Sequence, residues 1–191
     1  MLSYHTRLPH LPGVGVVLIN DAGLVWMGQR LPECAKVEPA GGWEMPQVGV
    51  GPGETVRDAA LVAIEEKAGI RSVQVLAEAP GWFTCELPTE LIGVALNGQY
   101  CGQKQKWLAL RFLGDDSEIE LTPRAGRGGE FASWRWVPAE EVPQLAAPLM
   151  RELYEDVIAT FAPFIAGFRG NAPTLAHVPS RVGEKMPRKG A

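Results

Sequence analysis

Residues 51–70, GPGETVRDAALVAIEEKAGI, take the chain from loop into helix and out again. Gly51-Pro52-Gly53 interrupts any preceding element, Thr55 can accept an unpaired N–H of a first helical turn, and Gly69 supplies a left-handed stop. Between them Ala60, Leu61, Ile64 and Ala68 recur at helical spacing. One face of this helix is therefore apolar and must lie on another layer of structure. Near its end stand two glutamates and a lysine, Glu65, Glu66 and Lys67.

Most of the remaining periodicity is that of strands. Gly13–Ile19 and Leu24–Met27 flank Asn20-Asp21-Ala22-Gly23, which predicts a β-hairpin. Trp43–Val50, Val73–Leu76, Trp82–Leu87, Trp107–Leu113 and Trp134–Val137 read as extended segments, with loops over Pro32–Gly42 and Pro88–Gly102. Glu118-Ile119-Glu120, if extended, would place both acids on one face. Met150–Phe161 has helical spacing. Strands and helices interleave without strict alternation, which predicts an α/β (α+β) fold in which helices sandwich a mixed β-sheet. The Gly13-Val14-Gly15 triplet lacks the third glycine and the following helix of a dinucleotide fingerprint.

At 191 residues the chain suits one well-buried domain, expected over 1–169. Residues 170–191 lose their aromatics, gain prolines and end basic, the composition of a disordered tail. A net charge of −4 argues against nonspecific coating of nucleic acid. Cys34, Cys85 and Cys101 show no metal spacing, and His5, His10 and His177 lie near the chain ends. Reduced thiols and no zinc cluster are the expectation. No apolar run approaches the roughly 20 residues of a membrane span, and the N-terminus lacks a signal-peptide core. A cytoplasmic protein is expected.

Taken together, the segments from Val48 to Ile70 resemble the signature of the Nudix hydrolase family, G-x5-E-x7-R-E-U-x-E-E-x-G-U, where U is bulky and apolar. Trp43-Glu44-Met45-Pro46-Gln47, Gly102-Gln103-Lys104-Gln105-Lys106-Trp107 and Glu130-Phe131-Ala132-Ser133-Trp134-Arg135-Trp136-Val137 are similar to motifs of its RNA pyrophosphohydrolase and dinucleoside polyphosphate hydrolase branch. The resemblance implies a Nudix-type α-β-α sandwich and cleavage of a pyrophosphate link in nucleoside polyphosphates or 5′-triphosphorylated RNA. It also implies Mg²⁺ or Mn²⁺ held by glutamates of the signature helix.

This signature is degenerate. The carboxylate positions 63, 66 and 67, which share a helix face at about 100° per residue, hold Ala63, Glu66 and Lys67. Val62 replaces the arginine that pairs with Glu54, and Val48 replaces a glycine beside the metal. Unit charges about 4 Å apart interact by about 4 kcal/mol at an effective dielectric near 20, so a lysine at 67 opposes a cation strongly. The resemblance implies Glu54 and Glu66 as catalytic residues and Glu66 and Glu118 as metal ligands. It implies Lys104, Lys106, Arg111 and Phe131 as substrate contacts.

Two functions stay open on the sequence. One is a metal-dependent hydrolase with a sparse set, Glu54, Glu66 and Glu118. The other is a catalytically inactive domain, needing no cofactor, that binds a nucleotide, an RNA 5′ end or a protein partner. In the second, Lys67 stands in the metal's place and meets phosphate directly.

Overall fold

The computed structural model describes residues 8–32, 42–121 and 129–169. Its strands are β1 (His10–Ile19), β2 (Val25–Arg30), β3 (Trp43–Glu44), β4 (Gln47–Gly49), β5 (Val73–Glu78), β6 (Phe83–Glu86), β7 (Gly102–Phe112) and β8 (Phe131–Val137). Its helices are α1 (Val56–Ala68), α2 (Val142–Leu145) and α3 (Arg151–Arg169). The strands form one mixed sheet, ordered β3-β2-β1-β7-β5, with β4 on β1, β6 on β7 and β8 on β2. The expected hairpin is present, with Ile19 opposite Val25. The parallel pairing of β1 with β7, from His10–Gly102 to Ile19–Arg111, is the spine of the sheet.

Alternation along β7 sends Trp107 and Ala109 into one core and Leu108, Leu110 and Phe112 into another. The first core is closed by α2 and α3 through Val142, Leu153, Tyr154, Val157, Phe161 and Ile165. The second is closed by α1 through Ala59, Ala60, Ile64 and Ala68. The small residues of α1 let it lie close on β1 and β4. Gly15 belongs to this packing: a Cβ there would stand 2.5 Å from the Trp107 ring, its partner across the sheet. That accounts for the glycine that superficially suggested a dinucleotide loop.

Local chemistry sets both ends of α1. The Thr55 side chain accepts the Asp58 N–H at 3.1 Å, and Gly69 ends the helix at φ 70°. Several expectations are corrected: Trp43–Val50 is two strands, β3 and β4, and β8 begins at Phe131 rather than Trp134. Strand β7 begins at Gly102 rather than Trp107, because the GQKQK segment pairs with β1 on one side and β6 on the other. Residues Asp116–Glu118 form a 3-10 turn rather than a strand, closed by Asp115, whose carboxylate accepts the Ser117 N–H.

Helix α3 also runs past Phe161, through Pro163 to Arg169. An interior proline typically costs about 3 kcal/mol. Burial of Ile165 and the Arg169–Glu140 ion pair at 2.7 Å offset that cost. Residues 170–191, where the tail is expected, lie outside those described, as do Cys34 and most of the 32–42 loop. No helix among the described residues is long and apolar enough to cross a membrane.

Candidate functional site

A pocket of about 320 Å³ opens where the start of β1, strand β4, the start of β7, the last turn of α1 and the start of β8 converge. Its polar wall comes from β4 and β7. Gln105 Nε2 donates to Gln47 Oε1 at 2.5 Å and to Gln103 Oε1 at 2.8 Å. Gln47 Nε2 in turn donates to the Tyr154 hydroxyl at 2.6 Å, which also accepts the Met45 N–H at 3.1 Å. Full burial pushes the Tyr154 phenol well above its usual range, so it stays a neutral anchor for this chain of amides. Gln103 and Gln105 are strand residues fixing a wall, rather than loop residues.

Four charged side chains form another wall. The Lys67 ammonium donates to Glu130 Oε2. Arg30 reaches the same carboxylate at 3.2 Å and Glu44 at 3.3 Å. Lys67 also lies 6.0 Å from the centroid of the Phe131 ring. The Lys67 side chain is only 10% exposed, against 37% for Glu130. Partial burial pushes the Glu130 carboxyl up, but the Lys67 ammonium and Arg30 guanidinium outweigh it and hold the group below its ordinary range. Two cations and two anions make this wall electrically balanced. Among the described residues, two buried polar atoms on the lining, Gln105 Oε1 and Arg30 Nε, have no hydrogen-bond partner.

The expected site residues fall in different places. Phe131 lines the pocket, with Lys67 and Val48. Glu54 is exposed, and its carboxylate accepts the Gly51 N–H at 2.9 Å, closing the turn ahead of α1. Glu66 is exposed on α1 and outside the lining, whereas Ala63 is fully buried. Glu118 sits beyond the end of α1, where Oε1 accepts the Arg71 N–H at 2.6 Å and the Ser72 N–H at 2.8 Å. Slight burial raises its carboxyl and those two donors lower it further, to a net downward shift.

Lys104 lies over the Trp82 ring, 5.6 Å from its centroid. Lys106 pairs with Glu78 at 3.4 Å and donates to the Pro80 carbonyl at 3.2 Å. Arg111 pairs with Asp21 at 2.9 Å, over the Phe168 ring. None of these three lines the pocket. The structure instead adds Arg30, Glu44, Gln47 and Glu130, which the sequence reading left without a role. Glu44, Gln47 and Glu130 do stand inside segments that carry the family resemblance.

Nudix hydrolases generally use divalent ions, Mg²⁺ or Mn²⁺. The donors on α1 do not fit such an ion. Its pocket-facing side presents the Lys67 ammonium, and Glu130 is already paired with that cation. Among the described residues, no group of three His, Cys, Asp or Glu donors within 4.8 Å of one another includes a residue of α1. An ion of this type asks for several oxygen ligands in near-octahedral order.

Comparison with known proteins agrees with this architecture. The NUDIX domain model matches residues 9–157. The RNA pyrophosphohydrolase of Afipia carboxidovorans is 43% identical over 85% of this chain and 98% of its own length. That of Rhizobium meliloti is 46% identical over 81% and 95%. Among solved structures, the E. coli dihydroneopterin triphosphate pyrophosphohydrolase superposes with a TM-score of 0.55 at 18% identity, over 80% of this chain and 97% of that one. A C. elegans Ap4A hydrolase binary complex gives 0.54 at 17%, over 81% and 98%. Those two likenesses establish the fold. With the domain match and the pyrophosphohydrolase relatives, they mean that the chain belongs to the Nudix hydrolase family and resembles its RNA pyrophosphohydrolase branch.

Proposed function

We propose that this pocket receives the polyphosphate of a nucleoside polyphosphate, or of an RNA 5′ end, and that Lys67 is the resident cation which meets it. The observation that carries this reading is the Lys67 ammonium on the pocket wall, paired with Glu130 and backed by Arg30. An arriving phosphate competes with the Glu130 carboxylate for both cations, so binding is an exchange of anions. Arg30 can offer paired N–H donors to phosphate oxygens, whereas Lys67 acts as a compact point charge. The Gln47–Gln105–Gln103 amides and the Phe131 ring fix the remaining walls.

In this reading the chain holds a phosphorylated end in the cytoplasm and turns it over slowly or not at all. The competing reading is metal-dependent hydrolysis through Glu54, Glu66 and Glu118, favoured by likeness to RNA pyrophosphohydrolases over most of the chain. Phosphate release from 5′-triphosphorylated RNA, diadenosine polyphosphates and nucleoside triphosphates, with Mg²⁺ or Mn²⁺, separates the two. Little or no release by the native protein, unchanged in Glu66→Ala, is expected. Release that chelator and Glu66→Ala both abolish would overturn the binding reading.

A further inference from the structure

Three strands or strand ends meet at Gly102. His10 faces it from β1 and Glu86 faces it from β6. A Cβ at this position would stand 2.3 Å from the Cys85 carbonyl oxygen, so the crossing point must be bare. Across it His10 Nε2 lies 2.7 Å from Glu86 Oε1. Cys101, the residue before the glycine, turns its Sγ to the same place, 3.7 Å from His10 Nε2. Among the described residues, this is the one group of three His, Cys, Asp or Glu side chains whose donor atoms all lie within 4.8 Å of one another. Residues 91 positions apart thus assemble what the sequence spacing did not suggest.

We propose that His10, Glu86 and Cys101 form a binding site for a borderline transition-metal ion, with Zn²⁺ the best fit. Thiolate, imidazole and carboxylate are the donors that such an ion prefers, and Mg²⁺ has no use for the sulfur. Bonds of about 2.3 Å to sulfur and about 2.0 Å to nitrogen at a tetrahedral angle place those two atoms about 3.5 Å apart. The observed 3.7 Å matches that separation, but Sγ also stands 3.9 Å from Nδ1, so the imidazole must turn to aim its Nε2 lone pair between the sulfur and the Glu86 oxygen. The Glu86 oxygen must withdraw by roughly half an ångström to reach a tetrahedral spacing, and its side chain, 64% exposed, has room to do so.

Without the ion, the Cys101 thiol donates to the Leu8 carbonyl at 3.0 Å, and His10 Nε2 is hydrogen-bonded to the Glu86 carboxylate. Binding deprotonates the thiol and leaves the coordinating imidazole nitrogen neutral, so protons pass to solvent as the metal enters. Three protein ligands leave the fourth position for water. The site is separate from α1 and would clip the start of β1 to the end of β6, beside the pocket residues Leu11 and Leu87.

The test uses the full chain and Co²⁺ as a spectroscopic probe. A sulfur-to-cobalt charge-transfer band in the near ultraviolet should saturate at one equivalent and disappear when Zn²⁺ is added. Cys101→Ser and His10→Gln should abolish it, Glu86→Gln should shift the titration to higher Co²⁺, and Cys34→Ser should leave it unchanged. Absence of the band in the native protein, or its survival in Cys101→Ser, overturns the site. Should a variant fail to fold, the native protein still decides the matter. Saturating Zn²⁺ should protect Cys101 from alkylation, read by mass spectrometry of its peptide, and equal labelling with and without Zn²⁺ rejects the proposal.

Discussion

The Lys67 ammonium and the Glu130 carboxylate form an ion pair across the pocket wall, joining the last turn of α1 to the residue that precedes β8. The resemblance to the Nudix signature implies carboxylates on this helix face, and Lys67 places an ammonium there. Stability, ligand affinity and pH response should all depend on that pair.

Lys67→Ala leaves Glu130 with Arg30 as its remaining described partner. Removing one member of a fully buried pair costs about 3–5 kcal/mol, and exposed pairs contribute about 1 or less. Glu130 is more than a third exposed while Lys67 is nearly covered, so a loss of about 1–3 kcal/mol is expected in urea unfolding. Lys67→Glu, which brings carboxylates together, should be less stable than Lys67→Ala.

Glu130→Gln removes the internal anion that competes with phosphate. Inorganic tripolyphosphate should then bind more tightly by on the order of 1 kcal/mol, about fivefold in Kd. Calorimetry in the presence of chelator reads this directly. Weaker binding would mean that Glu130 assists the ligand instead of opposing it.

The Glu130 pKa is depressed in the folded protein from its ordinary 4.5. Its contribution to stability is therefore present above that ordinary value and is lost as pH falls through the folded value. Glu118, held low by the Arg71 and Ser72 N–H groups, acts in the same direction. The stability difference between native protein and Glu130→Gln, or Glu118→Gln, should be flat at neutral pH and shrink below about pH 4.5. A difference that grew on acidification would have the wrong sign.

How much was legible from the sequence depends on the range of each interaction. Thr55, Gly69 and Asn20–Gly23 announce a helix start, a helix stop and a hairpin because the chemistry involved is local. The start of β7 was not visible, because Gln103 and Gln105 become strand residues through pairing with β1 and β6. The helix beyond Pro163 escaped for the same reason: Ile165 and Arg169 find their partners in tertiary contacts. At the site, the substitutions at 63 and 67 could be read directly. The engagement of Lys67 with Glu130, 63 residues away, could not, nor could the convergence of His10 with Cys101.

Gly15→Ala tests the packing that supports the pocket. Its Cβ would lie within 2.5 Å of three Trp107 ring atoms, an overlap that typically costs about 1–3 kcal/mol or more. A clear fall in Tm is expected. An unchanged Tm would mean that Trp107 can move without loss.

Restoring acids at positions 63 and 67 should have a visible penalty. Ala63 is fully buried, and an unpaired carboxylate there is strongly disfavoured. Ala63→Glu/Lys67→Glu should melt well below the native protein in chelator and recover stability when Mg²⁺ is added, as binding to the folded state requires. The native protein should show little response to Mg²⁺ in the same scan.

The most direct measurement is the Kd of a short 5′-triphosphorylated RNA for the native protein and for Lys67→Gln, each in Mg²⁺ and in chelator. Lys67 as the cation that meets phosphate predicts native binding that is the same in both buffers and at least about tenfold weaker in Lys67→Gln, a difference of about 1.4 kcal/mol. Binding that requires Mg²⁺ and is indifferent to Lys67→Gln would contradict the account and return the site to metal chemistry.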